Sequence, residues 1–189
     1  MLLEILTRWA TAEAVRRRLR TVAAPPGYGK TWLLRELERR LKERPDGLFI
    51  IRAPTPQLTS VDAITGWLPE VVLTAQAICP KVRNIAPGDS PQTAIARLLQ
   101  DLAQTCSPPR RVLLFVDGLD EISGSAQKEL ARHLLEPFWG DPSVRMVISF
   151  RDDYSLRSHL LRRGETRISL DTFSGEDGKK QLEKRARLA

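Results

Sequence analysis

Apolar residues along this chain fall into short continuous runs that alternate with amphipathic segments. The runs predict five strands, at 19–24, 48–53, 112–116, 144–150 and 166–170. Most of these runs are apolar throughout rather than alternating with polar residues, which is typical of strands buried on both faces. Strands separated by helices, with this composition, predict a parallel sheet covered by helices on both sides.

The helices between the strands are predicted from apolar residues that recur every three or four positions. They are expected at 3–18, at 30–41, near 61–78 with a start or kink at Pro69, from Pro91 with Ser90 as its cap, at 126–136 ending at Pro137, and from about Gly175. A turn is expected at 45–47. With 189 residues, the chain is predicted to form one domain.

The turn between the first strand and its helix carries the clearest chemical signal. The sequence Ala24-Pro25-Pro26-Gly27-Tyr28-Gly29-Lys30-Thr31 resembles the phosphate-binding pattern G-x-x-x-x-G-K-[ST]. Glycines allow the backbone N–H groups to surround a phosphate, and the helix N-terminus adds a favourable dipole. Lys30 is expected to reach the β- and γ-phosphates, and the Thr31 hydroxyl is expected to bind Mg²⁺. The predicted nucleotide-binding residues are Pro26, Gly27, Tyr28, Gly29, Lys30, Thr31 and Trp32.

Ala24 replaces the first glycine of this pattern. That position lies at the exit of the strand, at the far end of the loop from the phosphates. An alanine is a mild departure there, provided that its φ angle is negative.

Acidic residues follow the third apolar run, in the sequence "LLFVDGLDE". The strand delivers Asp117 to the carboxyl edge of the sheet, where open α/β sheets bind ligands, and Asp117 is predicted to hold Mg²⁺ through water. A further carboxylate must orient the attacking water near the γ-phosphate. Asp120 and Glu121 are both candidates for this catalytic role, and a solvated acidic turn is the alternative.

Arg151 follows the fourth strand and is the third candidate element. If that strand lies beside the Asp117 strand, Arg151 can contact the γ-phosphate and stabilise developing negative charge. The alternative is an ordinary ion pair with Asp152 or Asp153.

These segments together resemble the STAND class of P-loop NTPases, which are relatives of the AAA+ proteins. The segment "VDGLDEI" is similar to a NACHT-type Walker B motif, and "VISFRDD" resembles the strand and arginine of sensor 1. "ISLDTFSGEDGKKQL" resembles the exit of the fifth strand, and "APPGYGKTWLL" resembles the Walker A motif of MalT-like regulators, which also tolerate a first alanine. The resemblance covers about residues 1–185.

The resemblance implies a three-layer α/β/α P-loop NTPase fold with a five-stranded parallel sheet in the order 5-1-4-3-2. It implies a cytoplasmic signalling or defence module that binds ATP or ADP with Mg²⁺ and switches conformation and self-association with the nucleotide. Residues 1–189 would be one NTPase domain of a longer protein, in contact with its other domains. Hydrolysis is expected to be slow, because a lone module lacks the arginine finger of a neighbour. In phosphoryl transfer such an arginine can raise the rate by a factor of about 10³–10⁵.

The net charge of +7 keeps a different function open. Residues 1–44 hold eleven Lys/Arg and five Asp/Glu, a net of +6, with "RRRLR" as the densest part. A basic surface can bind nucleic acid, so a DNA-associated AAA+ ATPase is one alternative, although nucleic acid is not the favoured partner. A scaffold that keeps the fold without turnover is the other. A solvated helix face explains the charge equally simply.

The remaining candidates carry less chemistry. Arg8 and Trp9 are candidates to cover the adenine base, with core packing of Trp9 as the favoured alternative. His133 and His159 are interpreted as ordinary surface or helix residues. Cys79 and Cys106 lack the spacing of metal ligands and favour reduced thiols in the cytoplasm. No apolar run approaches the length of a membrane span.

Overall fold

The computed structural model describes residues 2–13, 15–44, 48–53, 61–106, 111–119, 130–151 and 166–169. The strands are β1 (Leu19–Ala23), β2 (Leu48–Ala53), β3 (Arg111–Val116), β4 (Val144–Phe150) and β5 (Thr166–Ser169). The helices are α1 (Leu2–Thr11), α2 (Lys30–Lys42), α3 (Val61–Ile78), α4 (Pro91–Gln104), a π-helix (Ala131–Leu135) and α5 (Glu136–Gly140). The turn predicted at 45–47 and the last predicted helix, from about Gly175, lie outside the described residues.

The strands form one parallel sheet in the order β2-β3-β4-β1-β5. The order β2-β3-β4-β1 matches the predicted order, and the short β5 pairs with β1 beyond it. In the register of the central strands, Val116 of β3 lies beside Ile148 of β4, and Val22 of β1 lies beside Ser149 of β4. The carboxyl end of β4 therefore lies between the ends of β1 and β3.

Alternate residues of the central strands pack into two separate cores, one on each face of the sheet. In β3, Val112, Leu114 and Val116 belong to the core formed with α3, α4 and α5. Leu113 and Phe115 belong to the core formed with α1 and α2. Both faces of β3 are therefore buried, which explains why its sequence is apolar throughout. The three-layer arrangement agrees with the prediction.

The first helix is shorter than predicted, since α1 ends at Thr11 rather than near residue 18. Arg145 of β4 donates hydrogen bonds to the carbonyl oxygens of Trp9, Ala10 and Ala12. Arg111 donates to the Ala12 carbonyl at 2.7 Å. Arginines from the sheet therefore satisfy carbonyls at the end of α1 that have no partner in the helix itself. Burial beside Arg111 lowers the pKa of Arg145 to about 10.

The helix predicted near 61–78 is confirmed, since α3 runs from Val61 to Ile78. Pro69 lies inside α3, so it does not start that helix, and the alternative of a kink at Pro69 stays a prediction. Pro137 does not end a helix either, because it lies in the first turn of α5, directly after the π-helix. The first turn of a helix tolerates proline because its N–H groups have no partner within the helix. The predicted helix from Pro91 is confirmed, and the Ser90 side chain accepts a hydrogen bond from the Thr93 N–H at 3.1 Å.

The segment between α3 and α4 is tied to the end of α4. Cys79 and Cys106 form a disulfide with a Cα–Cα distance of 5.5 Å, so the expectation of reduced thiols is wrong. The two cysteines are 27 residues apart in the sequence, and they meet because α3 and α4 end next to each other. With the thiols paired, the cytoplasmic location loses this support and stays a prediction.

The same segment is held by an ion pair between an exposed arginine and a buried aspartate. Arg83 donates through its side chain and its backbone N–H to Asp101, whose side chain is only 3% exposed. Burial raises the pKa of Asp101, but the hydrogen bonds from Arg83 outweigh that effect and hold the pKa below its ordinary value.

Among the described residues, none of the helices combines the length and the apolar composition that a membrane crossing requires.

Candidate functional site

The turn between β1 and α2 has the backbone conformation that a phosphate-binding loop needs. Gly27 and Gly29 have φ angles of +79° and +81°, and Gly29 is the N-cap of α2. A side chain at either position would be strained, since residues with a Cβ seldom adopt such angles. Ala24 has no such angle, and its N–H donates to the Phe150 carbonyl at 3.3 Å. The alanine therefore fits where the pattern has its first glycine.

Lys30 lies against the loop that precedes it. Its Nζ donates to the carbonyl oxygens of Ala24 at 2.7 Å and Pro25 at 3.0 Å. The ammonium group thus bridges the first part of the loop. Each of these bonds joins a charged donor to a neutral acceptor. A charged phosphate oxygen can take the place of each carbonyl and forms a stronger hydrogen bond.

The other predicted nucleotide-binding residues lie around the start of α2. Pro26, Gly27 and Thr31 are exposed, and Trp32 is 37% exposed. Tyr28 is half-buried. No acidic residue occupies the first turn of α2, so no side chain of that turn offsets the positive end of the helix dipole.

Asp117 follows β3 at the same edge of the sheet and is half-buried. Its carboxylate oxygen Oδ1 accepts a hydrogen bond from the Ser149 hydroxyl, and the Gly118 N–H donates to the Ser149 Oγ at 2.9 Å. Gly118 has a φ angle of +74°, so the chain turns sharply directly after Asp117.

Ser149 is missing from the sequence-based predictions. Its signal was weak but present, because it is the one hydroxyl residue in the apolar run "VRMVISF" and it is fully buried. A buried polar group in such a strand requires a partner.

Arg151 follows β4 directly and has an exposed side chain. Since β4 lies between β1 and β3, Arg151 follows the strand that separates the phosphate-binding loop from Asp117. The described residues thus bring three predicted elements to one edge of the sheet. Asp120 and Glu121, the two candidate catalytic carboxylates, and the possible Arg151 partners Asp152 and Asp153 lie outside the described residues.

Three of the five basic residues of α2 form ion pairs with its two glutamates, and the helix keeps a net charge of +3. Glu36 pairs with Arg39 and Arg40, and hydrogen bonds from these arginines lower the pKa of Glu36 to about 2. Glu38 pairs with Lys42 at 2.9 Å and with Arg52 of β2 at 2.5 Å.

Two arginines of the basic segment "RRRLR" contact other parts of the protein. Arg18 donates to the Asp141 carbonyl, and Arg20 lies 5.5 Å from the centre of the Trp9 ring. Only Arg16 and Arg17 have exposed side chains in this segment. The sequence charge therefore overstates the positive surface near α2.

Trp9 is a core residue, as the favoured alternative predicted. It is 6% exposed, packs in the core between α1, α2 and the sheet, and donates from Nε1 to the Arg17 carbonyl at 2.9 Å. Arg17 precedes β1, so Trp9 lies toward the edge of the sheet opposite to the phosphate-binding loop.

Fold and site together define a P-loop NTPase domain. The sequence profile described as "AAA domain" matches residues 14–158, and the chain belongs to this family. No curated protein sequence matches the chain.

Solved structures with the same fold support this class. The chain is 18% identical to Cdc6p from Pyrobaculum aerophilum, with a TM-score of 0.69, and the match covers 99% of this chain and 48% of that one. The Orc1 protein of Aeropyrum pernix, solved in complex with DNA, is 20% identical with a TM-score of 0.60, covering 98% and 47%. A Drosophila ORC structure, bound to GC-rich DNA and Cdc6, is 12% identical with a TM-score of 0.60, covering 97% and 30%. The chain thus spans about half the length of the first two proteins.

The donor set at this edge fits Mg²⁺. The Thr31 hydroxyl and the Asp117 carboxylate are oxygen donors, and oxygen donors are the ligands that Mg²⁺ prefers. The described residues contain no group of three His, Cys, Asp or Glu side chains that could hold a metal ion alone. Mg²⁺ does not require such a group, because it is usually held by one or two protein groups together with substrate phosphates.

Proposed function

We propose that this domain binds Mg²⁺-ATP, hydrolyses it slowly, and changes its contacts with other domains according to the bound nucleotide. The observation that carries the proposal is the loop between β1 and α2. Gly27 and Gly29 adopt φ angles open to glycine, Lys30 lies against the loop, and Asp117 lies at the same edge of the sheet. This combination suits a triphosphate with its metal ion.

In this proposal each residue has a distinct task. The backbone of Pro26–Trp32 surrounds the phosphates, and Lys30 exchanges its two carbonyl acceptors for phosphate oxygens. Thr31 and Asp117 hold Mg²⁺, which when bound neutralises charge on the phosphates. The dipole of α2 favours the negative charge of the ligand.

Hydrolysis requires a carboxylate that orients water, and we assign it to Glu121 or Asp120. Glu121 is the first choice, by analogy with the acid that polarises water in AAA+ proteins, and the Gly118-Leu119 pair between the acids keeps Asp120 open. Glu121→Gln and Asp120→Asn should each be measured in single-turnover hydrolysis. The variant of the true base binds ATP and loses turnover, whereas normal rates in both variants contradict the assignment.

The switch is the part of the proposal that rests on the resemblance to STAND and NACHT proteins. Arg151 follows the strand next to the loop, where a guanidinium can distinguish ATP from ADP by the γ-phosphate. Slow hydrolysis would then keep the ATP state long enough to act as a signal. Other domains of a longer chain, and self-association, would respond to it.

The first experiment compares nucleotide binding with turnover. Thermal denaturation should be recorded with Mg²⁺-ATP, Mg²⁺-ADP and no nucleotide, followed by phosphate release under the same conditions. A ligand at a hundredfold excess over its Kd stabilises the fold by about 2.7 kcal/mol. Binding with slow release supports the proposal. Binding without release supports the scaffold alternative, and no shift with either nucleotide contradicts both.

A second candidate function, a DNA-associated ATPase, is favoured by the net charge of +7. Solved structures of similar fold are described as complexes with DNA. The ion pairs of α2 and the internal use of Arg18 and Arg20 count against a large basic surface. Duplex binding measured at two salt concentrations decides, because several phosphate contacts make affinity fall steeply with salt.

A further inference from the structure

We infer that Ser149 is a positioning residue that sets the orientation of the Asp117 carboxylate for Mg²⁺. The inference rests on the proposed function, since it concerns the metal that accompanies the nucleotide. Ser149 lies at the carboxyl end of β4, one residue beyond the register pair Val116 and Ile148. This places it beside Asp117, 32 residues away in sequence.

The two hydrogen bonds of Ser149 leave no ambiguity about its direction. Its oxygen accepts the Gly118 N–H at 2.9 Å, and a backbone N–H can only donate. Its single hydroxyl hydrogen points to Asp117 Oδ1, and an ionised carboxylate can only accept. The hydroxyl therefore links the backbone after Asp117 to one oxygen of its side chain, and this fixes where the second oxygen lies.

The surroundings of Ser149 make this arrangement rigid. Ser149 is fully buried, and the whole of β4 is buried with it. On its other side, β4 pairs with β1, where Val22 lies beside Ser149. The strand is thus held between the strand that leads into the phosphate-binding loop and the strand that ends at Asp117. Because the strand is close-packed, the backbone of Ser149 cannot shift when the Asp117 side chain moves, and its hydroxyl stays in one position.

A role in metal binding follows from the chemistry of the carboxylate. Groups that hydrogen-bond to a metal ligand fix its orientation, and their loss typically weakens metal affinity by about 10–100-fold. Loss of the Ser149 bond lowers the population of the Asp117 rotamer that this bond favours. Ser149 would therefore affect binding of Mg²⁺-ATP more than binding of metal-free ATP.

The test is the Kd for ATP in EDTA divided by the Kd for ATP in saturating Mg²⁺, both measured by calorimetry. Ser149→Ala should reduce this ratio by about 10-fold. Ser143→Ala is the matched control, since Ser143 also donates from Oγ to an aspartate, Asp141 at 2.5 Å, just before the other end of β4. We expect Ser143→Ala to keep the wild-type ratio. Denaturation without nucleotide reports the structural cost of each variant.

A second pair of variants covers the case in which Ser149→Ala does not fold. Threonine and valine have nearly the same shape, so Ser149→Thr and Ser149→Val add the same volume and differ in the hydroxyl. We expect Thr to retain the Mg²⁺ ratio and Val to lose it.

The outcomes separate the two levels of inference. If the wild-type protein does not bind Mg²⁺-ATP, the proposed function is wrong and the inference fails with it. If the wild type binds and Ser149→Ala keeps the ratio, or if Thr and Val change it equally, only the role of Ser149 is refuted.

Discussion

Replacing Lys30 with alanine removes the charged group that lies against the phosphate-binding loop. Without nucleotide, Lys30 Nζ has two neutral acceptors, the Ala24 carbonyl at 2.7 Å and the Pro25 carbonyl at 3.0 Å. In the proposed complex the same group donates to phosphate oxygens. The contribution of Lys30 to affinity is therefore the difference between two sets of hydrogen bonds, and the gross strength of the second set overstates it.

The magnitude follows from this difference. A hydrogen bond that involves a charged group contributes about 1.5–3 kcal/mol, and we place a neutral carbonyl acceptor toward the lower end of this range and a charged phosphate acceptor toward the upper end. The exchange is then worth about 1–1.5 kcal/mol per bond, or about 2–3 kcal/mol for two bonds. This corresponds to a rise in Kd of roughly 30–150-fold. The fold itself should lose less than about 1 kcal/mol, because Lys30 is half-buried and its carbonyl partners can bond to water.

The assay is calorimetric titration of Lys30→Ala with Mg²⁺-ATP beside a lysine variant of the same helix. Lys42→Ala is that control, since Lys42 lies at the other end of α2, is 64% exposed and pairs with Glu38 at 2.9 Å. Both variants lose one positive charge, so a general electrostatic effect would weaken binding in both. We expect only Lys30→Ala to bind weakly.

Two results would refute the reasoning about Lys30. Wild-type affinity in Lys30→Ala would mean that the loop does not bind phosphates through this residue. Equal losses in both variants would mean that net charge, and not the position of Lys30, controls affinity.

Three further predictions concern other parts of the molecule. Arg151→Ala should reduce the difference between the melting temperatures with an ATP analogue and with ADP, because only ATP carries the γ-phosphate that this arginine would contact. Arg83→Ala should lower stability at neutral pH, because it leaves the Asp101 carboxylate, which is only 3% exposed, without this charged partner. In the wild type, the pKa of Asp101 lies below its ordinary value, so its contribution is present above about pH 4 and is lost as the pH falls through the lower folded pKa. In Arg83→Ala the hydrogen bonds that lower the pKa of Asp101 are gone and burial raises it, so this loss of stability on acidification should disappear or reverse, which melting curves across pH would show. The Cys79–Cys106 disulfide closes a separation of 27 residues, so the chain-entropy model gives it about 3.5 kcal/mol. Dithiothreitol should therefore lower the denaturation midpoint of the wild type and leave a double serine variant unchanged.

Each of these predictions has a result that contradicts it. An unchanged ATP–ADP difference in Arg151→Ala would favour an ion pair with Asp152 or Asp153 as the role of Arg151. An identical pH profile in Arg83→Ala would mean that Arg83 does not control the ionisation of Asp101. A wild type that melts at the same temperature with and without dithiothreitol, and that has the mass of two free thiols, would show that the disulfide does not form.

Much of the site could be predicted from sequence because its signals are local. The loop conformation depends on Gly27 and Gly29, which lie within three residues of each other, and the following helix begins at Lys30. The four longer strands were also predicted within one residue, since each is a mostly apolar run. Burial on both faces of the sheet leaves this pattern in any such strand.

The errors have a common physical origin in contacts between distant residues. Apolar spacing continued past Thr11, but Arg145 and Arg111 bind the carbonyls at the end of α1 from more than 98 positions away. Pro137 was expected to end a helix, whereas it lies in the first turn of a new one. Periodicity records which face of a segment is buried, and it does not record which groups complete its ends.

The sequence by itself determined the class of this protein, because its phosphate-binding loop, its apolar strands and the acid after β3 are each encoded within a few residues. Only the tertiary structure decided how the acid is held. Ser149 lies 32 residues from Asp117 and meets it because β3 and β4 are adjacent in the sheet. The disulfide and the Arg83–Asp101 pair were likewise decided by the packing of α3 and the segment after it against α4. Strand order and helix packing bring such partners together, and neither is written in the spacing of residues along the chain.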